Sequence, residues 1–312
     1  MWGAGVTGTP TPIVLDCDPG LDDAIAIMVA LGSPEVEVLA LTTVAGNAPL
    51  HHTTANAIRV LDHLERADIP VAAGADRPLV REPYAARDVH GETGLGGPDL
   101  PPPARSPVAV HAIDLIAQIA TSTAHPVTLV ATGPLTNVAL FAARHPAAAA
   151  ALERVVFMGG SIGLGNMTPA AEFNIWADPD AAQRVVSSGL DVTMVGLDVT
   201  HKVLFTPEEN DRLRERGRAG RLTAELVDFY RRSNPGRPGV PIHDAVAVGQ
   251  AVRPALLTLA DCHVEVDCGP VSRGRTLVDL RRVTGRDPNA HVAVDVDPGF
   301  NEFMADRIAA LR

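Results

Sequence analysis

The alternation of short, almost continuously apolar runs with amphipathic segments is the feature that most narrows what this chain can fold into. PIVLDCD, VEVLALTTVAGN, PVTLVATG, RVVFMGG and DVTMVGLDVT carry apolar residues on both alternating positions, so they read as strands covered on two sides. Helical patterns fall between them, at about residues 22–31, 51–64, 109–121, 135–145 and 180–187. Strand and helix in alternation mark stacked βαβ units. The expected fold is α/β, a single domain with an open, mostly parallel, Rossmann-like sheet and helices on both faces.

The second half adds to this plan. Thr206, Pro207 and Glu209 form a capping-box start with proline at the first helical position, which predicts one long helix running to Arg232. CHVEVDC and TLVDLR predict a small antiparallel addition, HVAVDVD a last strand, and residues 300–311 a closing helix. Residues 1–11 are expected to be a disordered tail and residues 12–312 one domain. The Pro- and Gly-rich stretches near residues 98–107 and 233–241 are too short for domain linkers and read as surface loops, the second as a mobile rim of the site.

Bulk properties exclude several classes. A net charge of -11, with the Arg-rich stretches interrupted by acids, Pro and Gly, argues against a nucleic-acid surface. No run approaches the roughly 18 apolar residues that a membrane span requires, and MWGAGVTGTPTP lacks the features of a signal peptide, so a cytoplasmic protein without membrane attachment is expected. Three scattered cysteines, Cys17, Cys262 and Cys268, have no zinc-ligand spacing and fit reduced thiols.

Ligands of open α/β sheets bind beyond the carboxyl ends of the strands. There the first predicted strand ends in Asp16 and Asp18, and the following helix opens with Asp22 and Asp23. Favourable placement at a helix N-terminus explains two of these four residues at best. Carboxylates this close repel unless a cation neutralises them, and an all-oxygen, crowded donor set suits a hard divalent ion, calcium more than magnesium.

IVLDCDPGLDDAIAI also resembles the N-terminal signature of the inosine-uridine-preferring nucleoside hydrolases. The resemblance continues in order through TTVAGN, AAGADRPLV, HGETGLGG, LVATGPLTNVA, VVFMGG, GNMTPAAEFNIWADPDAA, VTMVGLDVTH and IHDAVAV, spanning residues 12–248. It implies hydrolysis of the N-glycosidic bond of ribonucleosides, with calcium held by Asp18, Asp23, Asp244 and the main-chain carbonyl of Thr132. It further implies that Asp18 activates the attacking water and that Asp16 supports it by hydrogen bonding. Asp22 and Asn47 would hold the 2′ and 3′ hydroxyls, Asn166 and Glu172 the 5′ hydroxyl, and Asn174 would complete the sugar site.

Met158 and Phe173 would offer apolar surface beneath the ribose. His243, pinned beside Asp244, would protonate the departing base, and His90 in HGETG would face the base. Tyr230 is the aromatic expected to touch the base, whereas Trp176 is expected to pack and Trp2 to lie in the tail. The resemblance also implies a homodimer or homotetramer. Two other readings compete. An aspartyl-phosphate phosphohydrolase also begins with Asp-x-Asp but needs a hydroxyl residue where this chain has Pro19, Gly20, Leu21 and Asp22. A non-catalytic ribonucleoside-binding protein would be marked by loss of Asp18 or His243, and both are present.

Overall fold

The computed structural model describes residues 9–233 and 235–311. Residues 1–8 of the expected tail lie outside the described residues, while Thr11 already opens the first strand, β1 (Thr11–Cys17). It is followed by β2 (Val36–Thr43), β3 (Val71–Ala73), β4 (Thr128–Ala131), β5 (Arg154–Met158) and β6 (Val192–Val195). With the strands Ala290–Val296 and Leu257–Cys262 these make one sheet in the order β3, β2, β1, β4, β5, β6, Ala290–Val296, Leu257–Cys262. All neighbours are parallel except the last pair, which runs antiparallel at the edge.

Both faces are covered, as the apolar runs require. Ile13 and Leu15 enter one core with helix α1 (Leu21–Leu31) and the closing helix Phe300–Ala310. Val14, between them, enters the opposite core with helices Ala112–Ser122, Thr136–Arg144 and Pro179–Val186. Burying one such aliphatic side chain contributes about 1.5–3 kcal/mol, so a strand apolar on both alternating positions is stable only with helices on each side.

Several expectations change in detail. The single helix predicted from Thr206 to Arg232 is two, Pro207–Arg214 and Gly217–Arg232. The predicted start holds: the Thr206 hydroxyl accepts from the Glu209 amide at 3.2 Å, and the Glu209 carboxylate accepts from the Thr206 amide at 2.7 Å. The first helix ends at Arg214 and the second opens on Gly217, whose φ of 85° lies in the left-handed region that glycine enters without strain. The antiparallel addition forms from Val264–Val266 and Thr276–Val278. Cys262 belongs instead to the edge strand Leu257–Cys262, which the sequence had merged with the addition, and no disulfide joins the three cysteines. Among the described residues no helix is long and apolar enough to cross a membrane.

Candidate active site

The carboxyl ends of β1, β2, β4 and β5 meet at one edge of the sheet, and there the first acidic motif turns inward. Asp16, opposite Thr42 of β2 and Ala131 of β4, is fully buried. Its Oδ1 accepts from the Thr42 hydroxyl at 2.6 Å and from Asn137 Nδ2 at 2.8 Å, while Oδ2 has no partner. Asp18 Oδ2 accepts from the Asn47 amide at 2.6 Å, and its Oδ1 is buried without a partner. Two glycines make room for this carboxylate: a Cβ on Gly46 would come within 2.0 Å of Asp18 Oδ2, and one on Gly133 within 2.7 Å of Oδ1.

Asp23 does two jobs. Its Oδ2 accepts from the Gly20 amide and from Asn47 Nδ2, each at 3.0 Å, which caps the start of α1. Its Oδ1 accepts from the Asp18 amide at 3.2 Å and the Thr132 hydroxyl at 2.8 Å. The helix-terminus explanation is therefore true of Asp23 but incomplete, because Asp22 and Asp244 bring their carboxylates to the same place. Ligand oxygens of Asp22, Asp23 and Asp244 all lie within 4.8 Å of one another. Asp18 stands immediately beside this trio rather than within it.

Burial sets the electrostatics. Desolvation pushes the Asp16 carboxyl up to about 7, and it does the same to Asp22, where the charge of Asp23 adds to it. Asp18 and Asp244 are driven well above the usual carboxylate range, again by desolvation first and then by neighbouring aspartates. So many buried carboxyls with two unpartnered oxygens are an incomplete electrostatic arrangement for the chain alone. A divalent cation fits it: every nearby donor is oxygen, and the Thr132 carbonyl, which accepts from Asn174 Nδ2 at 2.7 Å, reaches the same edge.

Above this floor opens a cavity of about 510 Å³. Asp22, Asn47, Thr132 and Asp244 line its base, with Asp18 and Asp23 fully buried beneath. One wall comes from the loop after β5 and the short helix Phe173–Ala177, which bring in Met158, Asn166, Glu172, Phe173 and Asn174. Glu172 caps that helix, accepting from the Asn174 amide at 2.9 Å and the Ile175 amide at 3.2 Å, and also from the Gly160 amide at 3.0 Å. Desolvation pushes its carboxyl up to about 7. Asn166 Oδ1 accepts from the Phe173 amide at 2.9 Å, and Asn174 Nδ2 donates to the Met158 carbonyl at 3.1 Å.

The other wall holds His90, Tyr230 and His243. His90 ends the short helix Arg87–His90, accepts from the Leu21 amide at 3.2 Å and stacks on Tyr230 with ring centroids 6.5 Å apart. Burial holds its imidazole down to about 4. His243 opens the helix His243–Val252 beside Asp244, and desolvation followed by repulsion from His201, His90 and Arg237 holds it down to about 3. The expected sugar-side and base-side residues thus share one cavity.

Tyr84, Met167, His201 and Arg237 also line the cavity and were not read from the sequence. They come from turns and loops without periodicity. The signals available were the VTH context of His201, the GNMTP context of Met167 and the loop near residues 233–241, expected at the rim of the site, which carries Arg237. Trp176 does not line the cavity; the Arg273 guanidinium lies 4.1 Å over its ring, and Tyr84 meets it edge-on at 5.3 Å.

Comparison with known proteins gives a consistent result. The sequence profile of the inosine-uridine preferring nucleoside hydrolases matches residues 13–302. The chain is 48% identical over 304 residues to the pyrimidine-specific ribonucleoside hydrolase RihA of Escherichia coli O139:H28, covering 95% of this chain and 98% of the relative. Its structure is similar to a purine-preferring ribonucleoside hydrolase from Gardnerella vaginalis, with a TM-score of 0.91 and 34% identity over 96% of this chain and 99% of the other. A plant nucleoside hydrolase, PpNRh1, matches with the same TM-score and coverage at 33% identity.

Proposed function

The chain belongs to the inosine-uridine preferring nucleoside hydrolase family and is by that membership a nucleoside hydrolase, and we propose that it cleaves pyrimidine ribonucleosides with a calcium ion, Asp18 as base and His243 as acid. The observation that carries the mechanism is the set of buried carboxyls under the cavity, with Asp18 Oδ1 lacking any partner. The base preference rests on the pyrimidine-specific relative, which is closer in sequence than the purine-preferring structural neighbour.

Asp18, Asp23, Asp244 and the Thr132 carbonyl would hold the ion. When bound, it supplies a fixed positive charge that neutralises the carboxylates and lowers the pKa of a water held in the site. Asp22 and Asn47 grip the 2′ and 3′ hydroxyls, Asn166 and Glu172 the 5′ hydroxyl, with Asn174 beside them and Met158 and Phe173 beneath the ring. The bond between C1′ and the base nitrogen breaks heterolytically, so its electron pair stays with the base and positive charge spreads over C1′ and the ring oxygen. The water oxygen bonds to C1′ while Asp18 takes its proton.

The departing base takes a proton from His243, with His90 and Tyr230 against its ring. The desolvation and repulsion that hold His243 down to about 3 are opposed once the negative charge of the base arrives beside it. Action in the cytoplasm as a homodimer or homotetramer completes the proposal, and sedimentation tests the assembly. Ribose release is the decisive assay, run on uridine, cytidine, inosine and adenosine after chelation and after calcium is returned. Activity lost on chelation, regained with calcium and greatest on uridine and cytidine is expected. Full turnover after exhaustive chelation overturns the cation, and faster release from the purine nucleosides overturns the base preference.

A further inference from the structure

We propose that Thr200 is a positioning residue for the proposed acid, tethering one nitrogen of His243 so that the other faces the departing base. Thr200 ends the short helix Leu197–Thr200 that follows β6, and its side chain is fully buried. Its hydroxyl lies 2.7 Å from His243 Nδ1. A buried threonine in a helix ordinarily turns its hydroxyl to the carbonyl four residues back. That carbonyl, on Gly196, accepts the Thr200 amide at 3.2 Å, and the hydroxyl is directed across to the imidazole instead.

The two ring nitrogens of histidine are chemically distinct, and the partner of one decides what the other presents. With Nδ1 occupied in the interior, Nε2 is the nitrogen left for the cavity that His243 lines. Rotation of the ring is further opposed by His201, the next residue in the chain, whose ring meets that of His243 edge-on at 5.4 Å. A hydroxyl suits this post for two reasons. It both donates and accepts, so the tether survives whether or not Nδ1 carries hydrogen. It also adds no charge to a wall that already contains His90, His201 and Arg237.

This inference rests on His243 serving the leaving group, and the experiment separates the two ideas. Uridine is compared with p-nitrophenyl riboside, whose phenolate leaves without a proton. Thr200→Val, which keeps the shape and removes the hydroxyl, is expected to lower kcat on uridine about 10- to 100-fold while leaving the p-nitrophenyl riboside within about twofold. Thr200→Ser, which restores the hydroxyl, is expected to return uridine turnover to within about threefold of the parent. His243→Ala is expected to show the same selectivity for uridine, and adding Thr200→Val to it to cost nothing more, since the tethered ring is gone.

Turnover of p-nitrophenyl riboside reports that each variant is folded. If Thr200→Val leaves uridine unaffected, or slows both substrates equally while His243→Ala is selective, the positioning role is overturned and the acid stands. If His243→Ala itself slows both substrates equally, the acid is overturned and the positioning role with it.

Discussion

At the scale of the residue, Asp18 is the test of how the cavity works. It is enclosed by Gly46, Gly133 and the Asn47 amide, so Asp18→Asn is nearly isosteric and preserves the 2.6 Å contact geometry at Oδ2. Kinetics of ribose release should show kcat falling about 10²- to 10⁴-fold, with the melting temperature of the protein maintained or raised, because an amide relieves a buried carboxyl of its neighbours' repulsion. A rate near that of the parent would remove Asp18 as the base. The aspartates were legible because four of them crowd a strand end, which no ordinary helix start demands. Tyr84, Thr200, His201 and Arg237 were not legible, since each matters only through a neighbour far away in sequence: Thr200 and His243 are 43 positions apart. Asn137 is another such case, a polar residue inside a helix whose role, donating to Asp16, is visible only once β1 and β4 lie side by side.

At the scale of the element, local chemistry decided starts more firmly than ends. Thr206 and Glu209 satisfy each other's amides as their spacing predicts, so Thr206→Ala should cost about 1 kcal/mol, read as a shift in the denaturation midpoint, and Thr206→Ser should cost little. An unchanged midpoint in Thr206→Ala would mean the cap contributes nothing. The break between Arg214 and Gly217 is not legible because amphipathic spacing on either side reads as one helix, and a single glycine carries no direction. Strands β1, β2, β4, β5 and β6 were readable because two-sided burial demands unbroken apolar runs. β3, with three residues, and the edge strand Leu257–Cys262, with a mixed burial pattern, lack that demand and take their form from the neighbours they pair with.

At the scale of the whole molecule, the buried acids tie stability to pH and to the cation. A carboxyl whose folded pKa is raised keeps its proton in the fold after the unfolded chain has lost it, so its stabilising contribution is present at low pH and is lost as pH rises through the folded value. For Asp16 and Glu172 that value is about 7. His90 and His243, held down to about 4 and about 3, act in the opposite sense, losing stability as pH falls below the ordinary imidazole range. Between about pH 7 and 8 both histidines are mostly neutral in either state, and the raised carboxyls dominate the change. The chelated protein should therefore melt at lower temperature as pH rises across this interval, and calcium should raise the melting temperature more at its upper end. A calcium increment independent of pH would show that the ion does not engage these acids.

The cavity also sets its acidic and basic groups apart, with the aspartates at its floor and Arg237 among imidazoles at another wall. With its carboxyls ionised, such an enclosure is polarised like a charged plate pair. A bond lying across it is pulled apart unevenly, with electrons drawn to one fragment and electron deficiency tolerated at the other. The same gradient gives an entering ligand a preferred heading before any single contact has formed, so a molecule arriving end for end reversed is turned away by the field as well as by shape.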